Sequence, residues 1–305
     1  ALPSFDRVSP SFWTQLYLFT ARDLVRQSRN WLAVLFDLSL VISASVALGI
    51  IFYGRYYRPA VINEIPYIHN CPQLFGSLFC TLLTFPQADP LIASASLSGL
   101  ALALAAMASS LKVFGEDGVI FQREAQSGLN TESRFLGKNL AHMPLITLGS
   151  LFFTLIYYMF VLPKGSIFFE YWAIFFLIYL GVSGLAYFVS LVVPPAWKME
   201  QLLGILGVLV MVMLSGANPT LAQLRENALI PEALYYLSYA SMFRFSQELY
   251  YLTSVKYYTP TEQTLNIIGY SFDDEIGCWI ALALFAVIFR VFAYISLVWK
   301  EKQLK

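Results

Sequence analysis

Long apolar runs alternate with short polar segments along this chain. Six of the runs are long enough, alone or with a neighbouring turn, to cross a hydrocarbon core about 30 Å thick as α-helices. Their predicted bounds are residues 31–52, 91–111, 140–162, 167–193, 196–214 and 276–298. The fifth reaches spanning length only when it is counted back to Pro195, a residue suited to a first helical turn. A further run, residues 74–85, is too short to span and is predicted to be interfacial or re-entrant.

Basic residues are distributed unevenly between the two sides that six spans define. The side that holds both chain ends carries twelve Lys and Arg, the other side carries six, and Arg290 lies within a span. Because basic residues are enriched in cytoplasmic segments, both termini are predicted to be cytoplasmic. A seventh span at residues 74–85 would weaken this asymmetry, so six spans are favoured. We expect a multi-pass protein of the plasma membrane rather than of an internal membrane.

The segment before the first span, residues 12–30, contains no helix breaker and has two distinct edges. Aromatic and aliphatic side chains share one edge and arginines share another: Trp13, Tyr17 and Leu24, against Arg22, Arg26 and Arg29. This pattern favours an amphipathic helix in the cytoplasmic interface, with its cations near lipid phosphates. The alternative is a plain basic flank of the first span.

Two polar segments between the spans have a character of their own. Residues 115–137 are the most charged stretch, and Phe121 beside Arg123 and Glu124 would be exposed to water unless the loop docks on a partner or on the chain's own helix ends. In the outer segment, residues 217–275, the half-apolar part at 230–252 predicts short helices dipping into the outer leaflet. The remainder is predicted to form a small polar cap.

Two charged residues fall inside predicted spans. Asp37 is expected to pair with a neighbouring polar helix. Arg290 lies in the cytoplasmic half of the last span, and we expect it to anchor that span at the inner interface. A polar contact between helices or with substrate is the alternative for Arg290.

Composition supports an integral membrane protein. Of 305 residues, 58% are hydrophobic and 12% are charged, which is about half of the charge of a soluble domain. The mean hydropathy is +0.63, and the net charge of zero makes a nucleic-acid partner unlikely. Three cysteines form no disulfide framework; Cys71 and Cys80 could pair across a short loop, but free thiols are favoured.

Catalytic and nucleotide-binding motifs are missing from the sequence. No phosphate-binding loop and no metal-ligand spacing occur, and the two histidines are predicted on opposite sides of the membrane. We therefore expect no catalytic residue, metal or cofactor in this chain, and transport would need an energy source from another domain. Because the chain starts at Ala1 without a signal sequence, we expect it to be a piece of a longer polypeptide.

Several short motifs follow one another in a fixed order. They are residues 119–124 with Gly128, 134–138 leading to Pro144, 214–216, Ile230-Pro231, 237–241 with Arg244 and 247–249, and Phe289-Arg290 through Leu297. Together they resemble the transmembrane domain of subfamily G ABC transporters, the White/brown-complex half-transporters. Gly269-Tyr270 and the tail at 300–305 are similar to a plant subgroup with long N-terminal extensions.

The resemblance implies an all-α membrane domain over residues 1–305, with six transmembrane helices, an N-terminal interfacial helix and a small outer cap between spans five and six. It also implies an upstream nucleotide-binding domain that binds ATP and Mg, and a dimer with an identical or different half-transporter. Residues 116–127 would be the coupling helix, and the implied coupling residues are Phe121, Arg123, Glu124, Gly128, Arg22 and Arg29. The implied substrate path runs along spans two and five, at Leu102, Ala105, Ala106, Leu209, Met213 and Asn218.

The implied function is ATP-driven export of a lipid or another hydrophobic molecule. Two departures from the family pattern argue against multidrug or sterol specificity: Ala217-Asn218 replaces bulky apolar residues, and the second span lacks an aromatic near Ala105. The alanines of that span fit either close helix packing or a smooth wall for lipid. The alternatives to an exporter are a receptor or scaffold that does not pump, and a channel.

Overall fold

A computed structural model describes residues 10–53, 90–115, 124, 130–161, 167–193, 199–216, 221, 232–256, 265 and 268–304. The regular structure of these residues is entirely helical, which confirms the predicted all-α class. The helices are α1 Phe12–Arg29, α2 Trp31–Ile51, α3 Pro90–Gly115, α4 Thr131–Val161, α5 Phe168–Val192, α6 Glu200–Met213, α7 Glu232–Ser238, α8 Met242–Val255 and α9 Glu275–Leu304. A 3-10 turn, Phe272–Asp274, precedes α9.

Five of these helices are long and apolar enough to cross a membrane, namely α2, α3, α4, α5 and α9. They coincide with five of the six predicted spans. The helix at the remaining span, α6, has 14 residues and is therefore about 21 Å long at 1.5 Å per residue. Residues 194–198 lie outside the described part of the chain, so the sixth span stays a prediction.

The third predicted span is part of a longer helix. α4 begins at Thr131 rather than at Leu140 and runs for 31 residues with Pro144 inside it. Its first turns carry Glu132, Arg134 and Lys138, which made this stretch look like a cytoplasmic loop. These side chains find partners on neighbouring elements, so the helix continues beyond the apolar run.

The centre of the bundle is α5. Of its most apolar window, 72% is buried, whereas the corresponding windows of α2 and α9 are 28% buried. Helices α3, α4 and α9 pack around α5, while α1 packs on α4. The side chains that α5 contributes to the core include Ile174, Phe175, Tyr179 and Val182. The outer surfaces of α2 and α9 expose apolar side chains, as expected for helices in lipid.

Two short helices, α7 and α8, lie in the segment predicted to be outer, and their placement in the outer leaflet stays a prediction. Nearly every residue of α8 is buried, because this helix packs against α3, α5 and α9. Two tyrosines hold it there: Tyr157 of α4 contacts the Tyr250 hydroxyl at 3.0 Å, and Tyr171 of α5 contacts Ser254 Oγ at 2.6 Å. Cys278 is a buried free thiol. The proposed re-entrant segment at 74–85, with Cys71 and Cys80, lies outside the described residues.

Candidate functional site

Glu124 lies between two arginines from different helices. Its Oε1 accepts a hydrogen bond from Arg22 Nη1 of α1 at 2.5 Å, and its Oε2 accepts one from Arg134 Nη1 of α4. Only 3% of Arg134 is exposed, whereas 43% of the Arg22 side chain is exposed. Charge-assisted pairs of this kind are roughly twice as strong as neutral hydrogen bonds. Glu124 with Arg22 and Arg134 therefore forms a joint between α1 and α4, here called the cytoplasmic joint after the side on which the sequence predicts it.

Close packing of α1 on α4 positions this joint. Gln15 Oε1 accepts a hydrogen bond from the Asn130 backbone N–H at 3.0 Å, which fixes α1 to the start of α4. Three residues beyond Arg134, Gly137 leaves no room for a side chain: a Cβ there would lie 2.8 Å from Phe19 Cβ. The backbones of the two helices thus approach closely beside the joint.

Two of the six predicted coupling residues, Arg22 and Glu124, are brought into contact by the structure. Arg29 lies exposed at the end of α1. Phe121, Arg123 and Gly128 lie outside the described residues. Arg134 lies in the motif at residues 134–138, for which no coupling role is predicted from the sequence. The coupling role of the six predicted residues stays a prediction.

The predicted path residues occupy different environments. Leu102 and Ala106 of α3 are fully buried within this chain, whereas Ala105 and Leu209 are half-buried. Met213 at the end of α6 is 71% exposed, and Asn218 lies outside the described residues. The path assignment is therefore still a prediction; among its described members, Met213 is exposed and Ala105 and Leu209 are partly accessible.

The exposed faces of α3 and α6 are apolar. Leu97 of α3 and Leu202, Leu206 and Val210 of α6 are exposed to between 43% and 55%. The two helices approach closely, since a Cβ at Gly204 would lie 2.8 Å from Met107 Sδ. These faces could accommodate a hydrophobic molecule without desolvating a charge.

Both charges predicted inside spans have partners on other helices. Asp37 Oδ1 accepts a hydrogen bond from Lys112 Nζ of α3 at 2.7 Å, which confirms the expected pairing. The expectation that Arg290 anchors α9 at the interface is wrong. Its guanidinium instead donates to Asn139 Oδ1 of α4 and to Ser183 Oγ of α5, at 3.2 and 2.9 Å. No sequence pattern near Arg290 points to these partners, which lie more than 100 positions away.

A second buried polar group is centred on α8. Arg244 Nη1 donates to Ser238 Oγ at 2.7 Å, and its guanidinium lies 3.6 Å from the centre of the Tyr239 ring. Glu248 is 4% exposed and accepts a hydrogen bond from the Ser271 backbone N–H at 3.4 Å. Burial, the largest effect, raises the pKa of the Glu248 carboxyl above its usual value. Among the described residues, no group of three or more His, Cys, Asp or Glu could hold a metal ion.

The regions of this chain that are similar to known proteins include most of the described helices. A family model described as an ABC-2 type transporter matches residues 89–303. The "ABC-type transporter claG" of Penicillium crustosum is 24% identical over 233 residues, which are 74% of this chain and 28% of that protein. The "Putative white-brown complex homolog protein 30" of Arabidopsis thaliana is 26% identical over 210 residues, 67% of this chain and 18% of that protein. The chain thus spans less than a third of the length of these relatives.

Proposed function

Because the chain belongs to the ABC-2 type transporter family, we propose that it is the membrane-spanning half of an ATP-driven exporter that moves a lipid or another hydrophobic molecule. The resemblance to White/brown-complex half-transporters is supported by the Arabidopsis relative. An ATP-binding domain outside these 305 residues would bind ATP and Mg and supply the energy. A second half-transporter, identical or different, would complete the path. The protein would lie in the plasma membrane with both ends of this chain in the cytoplasm.

The cytoplasmic joint is the observation that carries this proposal. Glu124 belongs to the charged segment that the family resemblance assigns to coupling, and it is held by arginines of both α1 and α4. A force applied to this segment from the cytoplasm would therefore act on two helices together. A single charged residue that connects two helices in this way suits the transmission of a conformational change.

The apolar faces of α3 and α6 support a hydrophobic cargo. Apart from Gln201 at the start of α6 and Lys112 at the predicted cytoplasmic end of α3, their exposed side chains are apolar, and Lys112 is paired with Asp37. Polar pore-lining rings, which selective channels need, do not occur on the exposed parts of these two helices. This favours an exporter of apolar molecules over a channel.

The test uses the full-length polypeptide in lipid nanodiscs. ATP hydrolysis is measured with and without added phospholipid, for the parent, Glu124→Gln and the matched control Asp273→Asn, an exposed acid at the outer side. Loss of one charge-assisted hydrogen bond, worth about 1.5–3 kcal/mol, predicts a loss of lipid stimulation of about tenfold or more for Glu124→Gln. Asp273→Asn should behave as the parent.

Two results would count against the proposal. Unchanged stimulation in Glu124→Gln would remove the coupling role of the joint. A full-length parent that does not hydrolyse ATP at all would remove the pump and favour the receptor or scaffold.

A further inference from the structure

Three side-chain contacts join the first turns of α4 to the cytoplasmic half of α9. They are Arg290 Nε to Asn139 Oδ1 at 3.2 Å, the Tyr294 hydroxyl to Glu132 Oε1 at 3.1 Å, and Thr131 Oγ1 to Glu301 Oε2 at 2.6 Å. Their order reverses between the two helices, as expected for antiparallel neighbours. We call these three contacts the polar ladder.

Arg290 extends the ladder to a third helix. Its Nη1 donates to the Leu180 carbonyl of α5 at 2.7 Å and to the Ala286 carbonyl of its own helix at 3.0 Å, while Nη2 donates to Ser183 Oγ. Within the described part of the chain, no acidic side chain lies at ion-pair distance from this guanidinium. Its charge is therefore stabilised by oriented dipoles from three helices. These hydrogen bonds form together at only one axial position of α9 relative to α4 and α5.

A small residue lets α9 come close enough for these bonds. A Cβ at Gly184 of α5 would lie 3.1 Å from Phe289 Cβ and 3.3 Å from the Arg290 backbone N. The Phe135 and Tyr294 rings also pack, with centres 5.5 Å apart. The cytoplasmic half of α9 is thus held in place by both packing and hydrogen bonds.

The ladder and the cytoplasmic joint occupy the same turns of α4. Arg134, which binds Glu124, lies between Thr131 and Asn139, the two ends of the ladder on this helix. Asn139 lies eight positions after Thr131 on α4, a rise of about 12 Å. Pro144, the residue that could kink this helix, lies beyond this stretch. A displacement of Glu124 therefore acts on the same rigid turns that hold α9.

We propose that the polar ladder makes α9 follow α4 when Glu124 is displaced, with Arg290 and Tyr294 as positioning residues. This inference rests on the proposed function, because it assumes that a cytoplasmic force acts on Glu124. α9 has 30 residues and is about 45 Å long, so it carries the displacement to its outer end. There Cys278 is buried, next to α8.

Cys278 provides the readout. In the full-length protein, Cys71 and Cys80 are replaced by serine, and any cysteines outside this chain are replaced as well. The rate at which a small maleimide labels Cys278 is then measured with and without a non-hydrolysable ATP analogue. If α9 moves, the analogue should change the rate by about tenfold in the parent, because labelling of a buried thiol reports local opening.

Each variant removes or weakens one contact of the polar ladder with little change in the size of the side chain. Tyr294→Phe keeps the ring against Phe135 and loses only the hydroxyl, and Arg290→Lys keeps the charge but loses the planar fork. Both should reduce the nucleotide-dependent change to less than about twofold, which is a loss of coupling that a purely structural role does not predict. Ser296→Ala, which removes a hydroxyl of the same helix bonded only to the Phe292 carbonyl, should respond as the parent.

Two outcomes overturn the inference while leaving the proposed function in place. In one, both ladder variants show the full change in labelling rate. In the other, the parent shows no change while its ATP hydrolysis is stimulated by lipid, which leaves the proposed function in place and removes only the movement of α9. A parent that does not hydrolyse ATP removes the proposed function, and the inference with it.

Discussion

Alanine at Gly137 should loosen the packing of α1 on α4. The added Cβ would lie 2.8 Å from Phe19 Cβ and 3.3 Å from the Thr20 backbone N. Neither atom can rotate away, since one is attached to the α1 backbone and the other belongs to it, so α1 itself must shift. Such overpacking costs about 1–3 kcal/mol, and the better helix propensity of alanine offsets about 1 kcal/mol of it. We expect a net destabilisation of about 0–2 kcal/mol.

Two other glycines provide a graded control on α6. Alanine at Gly207 meets no atom within 4 Å and should gain only the helix propensity. Alanine at Gly204 meets Met107 Sδ at 2.8 Å, but this flexible side chain can rearrange at low cost. Stability should therefore decrease from Gly207→Ala through Gly204→Ala to Gly137→Ala, with about 1–3 kcal/mol between the extremes.

The assay is thermal unfolding in lipid nanodiscs, followed by the reaction of buried Cys278 with a thiol-reactive dye. The three variants and the parent are compared in the same lipid, because absolute values depend on it. Equal melting temperatures for Gly137→Ala and Gly207→Ala would refute the reasoning, since the close approach of α1 to α4 would then carry no energetic cost.

Two further predictions concern charged groups. Asp37→Asn or Lys112→Met alone should destabilise the protein by about 1–3 kcal/mol more than the double variant does, because each single change leaves the partner's charge unpaired. The difference stays this small because Lys112 is partly exposed and solvent screens its charge. Equal costs of the single and double variants in thermal unfolding would contradict this. Burial raises the pKa of Glu248, so the folded state binds this proton more tightly than the unfolded state, and the contribution of Glu248 to stability should fall as the pH rises from its ordinary pKa to its raised one. Glu248→Gln should remove this part of the pH dependence and Asp273→Asn should retain it, as measured by melting temperature between about pH 4 and 8.

The long helices could be predicted from the sequence because lipid imposes a simple rule. A run of about 20 apolar residues satisfies its backbone hydrogen bonds internally only as a helix. Five such runs therefore coincide with α2, α3, α4, α5 and α9. That Asp37 has a polar partner on another helix could be predicted for a related reason, since a carboxylate at that depth is costly without one.

The start of α4 and the environment of Arg290 could not be predicted in the same way. Thr131, Glu132 and Arg134 form helix because α9 and Glu124 satisfy them, and these partners are distant in sequence. The expectation that Arg290 anchors the last span at the inner interface assumes that the aqueous interface is its nearest polar environment. Asn139 and Ser183 provide a polar environment within the bundle, and only the packing of three helices reveals it.

The pairing of Arg290 with earlier helices also bears on how this chain is made. α9 leaves the ribosome after the other described helices, and its arginine enters the bilayer when Asn139 and Ser183 have already been synthesised. The free-energy cost of inserting the Arg290 charge can therefore be offset at once by hydrogen bonds to Asn139 and Ser183. Asp37 is in the opposite position, because Lys112 is synthesised 75 residues later. Until Lys112 is synthesised, Asp37 of α2 lacks this partner, so stable insertion of α2 should depend on its early assembly with α3.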